Sequence, residues 1–289
     1  VTAGVAPVAG APPAFSDAEV QRYARHILLD EIGGGGQARL LASRVLVVGA
    51  GGLGSPVLLY LAAAGVGTVG IVDDDRVDLS NLQRQIVHAT AAIGEAKVDS
   101  ARRTLAGINP GVRVETHPYR LTQANALALV GAYDLVVDGS DNFPTRFLVN
   151  DACHFARRPL VSGAILRFSG QVATFRSYEA DSAEPPRGPC YRCLFPAPPP
   201  AGTVPSCAEA GVLGAFCGVV GGLQATEVVK ELLGIGDSLA GWLLLLDGLG
   251  GTFRRIRVRP DPGCPLCGIR PTILAPGGTA EAEAVDGRG

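Results

Sequence analysis

Short runs of branched apolar residues alternate along this chain with longer stretches whose apolar positions recur every three or four residues. The runs at 44–49 (RVLVVG), 68–73 (TVGIVD), 112–117 (VRVETH) and 133–138 (YDLVVD) have the length and composition of buried strands. Between them, residues 55–64, 95–106, 123–130 and 145–156 carry helical spacing. Strand and helix in strict alternation predict an α/β fold: a doubly wound, mostly parallel sheet with helices on both faces. Upstream, Ser16-Asp-Ala-Glu19 forms a capping box ahead of an amphipathic helix, which the glycines at 33–36 are expected to break. Downstream, runs at 160–165 and 170–177 lie close enough for antiparallel pairing. The rhythm then stops. Residues 178–206 read as a long Pro/Gly-rich loop, followed by a glycine-rich helix over 211–233 and strands at 242–247 and 252–258. Residues 1–15 are expected to be a disordered lead-in and 275–289 a disordered tail, leaving one domain over 16–274.

Composition narrows the classes without choosing one. A chain of 289 residues with a net charge of −2 gives no electrostatic case for nucleic acid or an anionic membrane as partner. The first fifteen residues lack Lys and Arg and are interrupted by proline, so they fit neither a signal peptide nor a membrane span. The apolar run at 57–66 is too short to span a bilayer and sits directly behind a glycine turn, where a buried helix accounts for it. A cytoplasmic location is expected.

That turn carries the first chemical signal. Gly49-x-Gly51-x-x-Gly54 follows a strand, and Asp73 comes 19 positions after Gly54, which is the dinucleotide-binding fingerprint. The pattern calls for a phosphate at a helix N-terminus and a carboxylate at a ribose, and either NAD or ATP satisfies it. Beyond the second strand come Asn81, Arg84 and Gln85, Lys97 begins a helix, and Asp141 and Asn142 follow the fourth strand. In a doubly wound sheet these positions surround the crevice at the carboxyl ends of the strands. Taken singly, Arg84 and Lys97 could be surface cations and Asp141 a helix cap. Together, two cations and a carboxylate suit a triphosphate and Mg²⁺ better than a hydride-transfer site.

Seven cysteines include two C-x-x-C pairs, Cys190/Cys193 and Cys264/Cys267. Four thiolates with no open position suit a structural tetrahedral Zn²⁺, and redox pairs are the alternative. Cys207 sits between the long loop and a helix start, where either a reactive thiolate or an ordinary loop thiol fits. Cys153 and Cys217 have core-like apolar settings. The four histidines show no metal-ligand spacing and receive no role.

The segments VLVVGAGGLGS, IVDDDRVDLSNLQRQ, GEAKVDSA, DLVVDGSDN, CYRC, SCAEAGV and CPLC, in this order, resemble the molybdopterin-synthase adenylyltransferase (MoeB) and ThiF sulfur-carrier adenylyltransferase family, relatives of ubiquitin-activating enzymes. The resemblance implies adenylation, with ATP·Mg²⁺, of the C-terminal glycine carboxylate of a small ubiquitin-like sulfur carrier ending in Gly-Gly. It implies that Gly52 lies under the nucleotide, that Asp73 holds the ribose, and that Ser80–Arg84 and Lys97 meet the phosphates. Asp141 and Asn142 would serve the metal side, and Cys207 would take part in acyl or sulfur transfer in some members. Arg25 would be supplied to the partner subunit of a homodimer. Three features depart from the family: the glycine run at 33–36, the wording Leu213-Gly-Ala-Phe216, and the lack of a rhodanese-like domain after Cys267. The last makes a separate sulfur-donor protein the expected source of sulfur. A related enzyme acting on another carboxylate or a tRNA base, an NAD-dependent oxidoreductase, and a nucleotide-binding scaffold are the rival expectations.

Overall fold

The alternation becomes a single twisted sheet in the computed structural model, which describes residues 15–179, 188–200, 203 and 210–278. Its strands are β1 (Arg44–Val48), β2 (Thr68–Val72), β3 (Arg113–His117), β4 (Leu135–Asp138), β5 (Leu160–Leu166), β6 (Ser169–Phe175), β7 (Trp242–Asp247) and β8 (Thr252–Arg257). They lie in the order β3-β2-β1-β4-β5-β6-β7-β8. The first five in this order run parallel, and from β5 onward every pairing is antiparallel. The expected mostly parallel α/β fold with antiparallel additions is what forms.

The central strands β1, β2 and β4 bury both faces, which is why they read as continuous apolar runs rather than alternating ones. One face packs on α3 (Gly54–Ala64), α4 (Lys97–Ile108) and the long α8 (Gly214–Leu233), and the other on α5 (Gln123–Gly131) and α6 (Phe143–Ala156). The apolar run at 57–66 is accounted for in α3, whose Val57, Leu58, Leu61 and Ala62 are fully buried. Among the described residues no helix is long and apolar enough to cross a membrane.

At the N-terminus the capping box is present: Glu19 N–H donates to Ser16 Oγ (3.3 Å) and Ser16 N–H donates to Glu19 Oε2 (2.9 Å), opening α1 (Asp17–Ile27). The expectation for the glycines at 33–36 needs correction. They do not act merely as a break but form the first turn of a second helix, α2 (Gly33–Ala42). Glycine disfavours helix by about 1 kcal/mol per residue, so tertiary contacts hold this one. Gln37 is fully buried, its amide donates to the Ala64 carbonyl (2.9 Å), and Leu40 is fully buried in the core.

The long loop expected over 178–206 contains a short helix, α7 (Tyr191–Leu194). Residues 1–14 of the lead-in and 279–289 of the tail lie outside the described residues. The start of the tail is anchored: Gln123 Nε2 donates to Gly277 O (2.5 Å), and Gly277 N–H donates to Asp151 Oδ2 (3.2 Å). At the far edge, every residue of β8 is exposed, and Arg255 and Arg257 lie over the Trp242 ring at 4.6 and 5.0 Å.

Candidate active site

The turn between β1 and α3 is held by contacts that only glycine permits. Gly49 has φ +92°, and a Cβ on Gly54 would sit 1.8 Å from the Gly49 carbonyl oxygen. Asp73 Oδ2 accepts from the Ala50 N–H (2.7 Å) and its Oδ1 from the Asp75 N–H (2.9 Å), tying the ends of β1 and β2 together. Burial pushes the Asp73 carboxyl above its ordinary range, against the pull of Lys97 and these hydrogen bonds. His88, which sequence reasoning left without a role, braces the other side of the turn. Its Nε2 lies 2.9 Å from the Ala50 carbonyl and its Nδ1 3.0 Å from Ser100 Oγ. The Ala50 carbonyl can only accept, so Nε2 carries the proton and Nδ1 accepts from Ser100. Burial lowers the His88 pKa, which keeps that neutral form.

A cavity of about 260 Å³ opens over this turn at the carboxyl ends of β1 to β4, where the strand order reverses. Its charged lining consists of four cations, Arg84, Lys97, Arg120 and Arg146, and four carboxylates, Asp73, Asp74, Asp75 and Asp141. Lys97 is the first residue of α4 and is almost wholly buried, with Nζ 2.7 Å from the exposed Asp75 carboxylate. Arg84 donates to the Ser80 carbonyl (3.2 Å), and no carboxylate pairs with it among the described residues. Asp141 is exposed and likewise in no ion pair there. Asn142 caps α6, its Oδ1 accepting from the Thr145 N–H (3.0 Å), so the capping role belongs to Asn142 and Asp141 is left facing the cavity.

Of the residues singled out in the sequence, Gly49, Gly51, Gly52, Asp73, Arg84, Gln85, Lys97, Asp141 and Asn142 line the cavity. Gly54 lies behind it, packed on Gly49. Ser80 and Asn81 sit on a 3-10 turn that does not line the cavity, and Leu82 and Gln83 do not line it either. Ser80 instead hydrogen-bonds Asp78 (2.5 Å), and the Gln83 carbonyl abuts Gly214 at the start of α8. Arg25 is exposed on α1 and does not line the cavity of its own chain. Cys207 lies outside the described residues. Cys153 is core, as expected, but buried Cys217 also borders the cavity, beneath Gly52.

Sequence reasoning missed Arg120 and Arg146, which arrive from the loop after β3 and from α6. Arg146 stands four residues after the Asn142 cap and so on the same helix face, a spacing that could have flagged it. It is 9% exposed, and its Nη2 donates to the Ser140 carbonyl (3.0 Å). That loop is fixed by buried Asp138, which accepts from the Ser140 N–H (3.0 Å), Ser140 Oγ (2.6 Å) and Ser162 Oγ (3.1 Å).

The four paired cysteines converge. Cys190 Sγ lies 3.5 Å from Cys264 Sγ, 3.4 Å from Cys267 Sγ and 4.0 Å from Cys193 Sγ, and Cys193 Sγ lies 3.4 Å from Cys267 Sγ. These separations are far too long for disulfides. They bracket the roughly 3.8 Å edge of a sulfur tetrahedron built on Zn–S bonds of about 2.3 Å, so the residues fit zinc. The four thiols titrate together: their mutual hydrogen bonds, with that from Cys190 foremost, bring Cys193 down to about 7 and hold Cys264 below the thiol range, while Cys190 and Cys267 are raised. This knuckle is fastened to α6. Arg192 donates from Nε and Nη2 to the two oxygens of buried Asp151, each at 2.7 Å, and the Tyr191 N–H donates to Asn150 Oδ1 (2.8 Å).

A second, more apolar groove of about 320 Å³ adjoins the first along β5 and β6. Phe143, Leu166, Tyr191, Phe195 and Leu245 form its apolar walls, while Asp141, Arg146 and Ile165 line both spaces and mark their junction.

The chain matches the ThiF family over residues 23–266. It is 56% identical over 254 residues to a sulfur carrier protein adenylyltransferase of Thermus thermophilus, covering 88% of this chain and 93% of that one. It is 52% identical over 250 residues to the SAMP-activating enzyme E1 of Haloferax volcanii, covering 86% and 89%. The probable adenylyltransferase/sulfurtransferase MoeZ of Mycobacterium tuberculosis is 52% identical over 252 residues, which cover 87% of this chain but 63% of MoeZ. Among solved structures, E. coli MccB with ATP superposes with a TM-score of 0.72 at 20% identity, covering 85% of this chain and 74% of MccB. The protein PaaA superposes at 0.70 and 23% identity, covering 88% and 78%. At these identities the two structures speak for the fold.

Proposed function

The chain belongs to the ThiF family, and on that premise we propose that it uses ATP to adenylate the C-terminal glycine carboxylate of a small ubiquitin-like sulfur carrier, releasing pyrophosphate. The observation that carries this reading is the pair of connected spaces. A charged cavity over a glycine turn is suited to a nucleoside triphosphate, and the adjoining apolar groove, which shares Asp141, Arg146 and Ile165 with it, offers a path for a peptide tail to it. The relatives named as a sulfur carrier adenylyltransferase and a SAMP-activating enzyme support the choice of acceptor.

In this reading Gly51 and Gly52, which line the cavity, receive the phosphates with backbone N–H groups, and Asp73, already fixed by Ala50 and Asp75, accepts from the ribose. Arg84 and Lys97 offset the charge that builds on the α-phosphate and pyrophosphate as the acceptor carboxylate attacks phosphorus. The carboxylate is already ionised at neutral pH, so no general base is required. The cavity's four cations are matched by four carboxylates, so a polyanion needs added positive charge there. Asp141 would hold Mg²⁺, which when bound supplies that charge as a Lewis acid. Asn142 positions Asp141 by capping α6. Cys190, Cys193, Cys264 and Cys267 hold structural Zn²⁺. Arg25 completes the site of a partner subunit in a homodimer, a reading supported by its exposure beside Val20, Leu28 and Leu29, which are 47%, 70% and 48% exposed. Cys207 takes part in acyl or sulfur transfer, with sulfur delivered by a separate donor protein.

ATP–pyrophosphate exchange tests the reading directly. A panel of ubiquitin-like proteins ending in Gly-Gly should include one that supports exchange, and removal of its last glycine should abolish it. Asp141→Ala should lower exchange by about 100-fold or more with an unchanged melting temperature, because that side chain makes no ion pair. Undiminished exchange in this variant would remove the metal role from Asp141.

A further inference from the structure

A chain of hydrogen bonds runs from the rim of the charged cavity to the β3 edge of the sheet, and its direction can be worked out from the far end. Glu115 on β3 pairs with Arg44 (2.9 Å) and Arg113 (3.1 Å). Its carboxylate can only accept, so the Tyr133 hydroxyl donates to Glu115 Oε2 (2.8 Å). With that proton committed, the Tyr133 oxygen accepts from His117 Nε2 (2.9 Å). Burial lowers the His117 pKa against the pull of Glu115, which keeps the ring neutral and makes Nδ1 an acceptor. The donor to Nδ1 is the Tyr119 hydroxyl (3.2 Å). The Tyr119 proton is therefore committed as well, and its oxygen is left with lone pairs alone.

Tyr119 lines the cavity and is 41% exposed, within reach of a ligand. The His117 carbonyl accepts from both the Tyr119 N–H (2.8 Å) and the Asp73 N–H (3.3 Å), which fastens the turn after β3 to the carboxylate assigned to the ribose. Strand order then places the base. With phosphates over the β1 turn and a ribose at the end of β2, the base is directed toward β3, the next strand outward. There Leu121, 8% exposed, supplies an apolar surface and Tyr119 a polar atom.

We propose that Tyr119, its hydroxyl proton held by His117, selects the base of the nucleotide by offering only an acceptor, and so favours a purine that carries an amino group at C6. This rests on the nucleotide reading above and adds base selectivity to it. His117 does not line the cavity and is a positioning residue that acts through Tyr119.

The test is calorimetric titration of the zinc-loaded, full-length protein with Mg²⁺ and three nucleotides: ATP, purine riboside triphosphate, which has hydrogen in place of the amino group, and inosine triphosphate, which has an oxygen there. One neutral hydrogen bond predicts that wild type prefers ATP over purine riboside triphosphate by about 3- to 10-fold. Tyr119→Phe should weaken ATP alone and erase that preference. His117→Leu keeps the phenol but frees its proton to donate, so affinity for inosine triphosphate relative to ATP should rise by about threefold or more. No preference in wild type, or a preference that survives in Tyr119→Phe, would overturn the proposal. An unchanged inosine-to-adenine ratio in a folded His117→Leu would overturn the assigned direction of the chain, and if that variant does not fold, the other two comparisons decide. No carrier takes part in these titrations, so they stand apart from the exchange assay. Wild-type protein that binds none of the three nucleotides would sink the nucleotide reading together with this one, whereas equal binding of ATP and purine riboside triphosphate would sink this one alone.

Discussion

His88 shows how one side chain links acidity to the nucleotide turn. Its neutral ring donates to the Ala50 carbonyl and accepts from Ser100, and burial holds its folded pKa below the ordinary 6.5. The unfolded chain therefore binds a proton more readily than the native one as pH falls past about 6.5, and stability drops with it. Lys97 adds to this depression and Asp73 opposes it, but burial is the leading cause. Chemical denaturation between pH 7.5 and 5.5 should show unfolding free energy falling toward acid. His88→Gln, which cannot take up the proton, should flatten that slope. A slope identical in both proteins would assign the pH dependence to another group, with His117, also lowered by burial, the first to examine.

At the scale of elements, the Arg192–Asp151 pair carries the connection between α6 and the metal knuckle. Both side chains are buried, at 8% and 0% exposure, and Asp151 also accepts from Asn150 Nδ2 (3.1 Å) and the Gly277 N–H. Removing one partner leaves the other charge buried alone, so Asp151→Ala should destabilise the fold by about 3–5 kcal/mol in chemical denaturation. An effect under about 1 kcal/mol, the range of exposed pairs, would mean that the knuckle is held by its metal and apolar packing instead. The same scale explains what the sequence disclosed and withheld. Strands β1, β2 and β4 were legible because burial on both faces leaves only apolar residues for their cores. The helix α2 was hidden, since its glycines point to a break and the contacts that override them, Gln37 to Ala64 and Leu40 into the core, come from distant segments. The cavity's glycines, Asp73, Lys97 and Asp141 were legible because strand ends announce where a crevice must form. Ser80 to Gln83 were grouped with Arg84 because they share its run, yet Ser80 and Asn81 sit on a 3-10 turn outside the cavity and Leu82 and Gln83 do not line it either. Arg120 and His88 carry no spacing that distinguishes them from ordinary surface or core residues, and only folding brings them to the turn; Arg146 was marked only by its place one helical turn after the Asn142 cap.

For the whole molecule, the cysteine cluster joins chain segments more than 70 residues apart, and around it lies a small apolar core of its own, with Leu266 and Ile273 buried beside the thiols. On the proposed zinc reading, a core this small would draw much of its stability from the bound ion. One zinc per chain is the expected stoichiometry by elemental analysis. Chelation should lower the melting temperature and weaken carrier binding, while ATP affinity changes by less than about threefold, because the glycine turn and the charged cavity stand on the parallel strands. Equal loss of both ligands would mean that the knuckle supports the entire domain.

The reversal of strand direction after β5 divides the molecule along a seam. All of the charged cavity's lining except Val212 and Cys217 comes from the chain up to β5, while the groove adds Gln171, Tyr191, Phe195 and Leu245 from β6, the cysteine knuckle and β7 to Phe143 and Leu166. A protein engineer could treat that seam as a splice line, grafting β6, β7, β8 and the knuckle of a relative onto this parallel half to redirect which tail is activated while leaving the ATP chemistry in place.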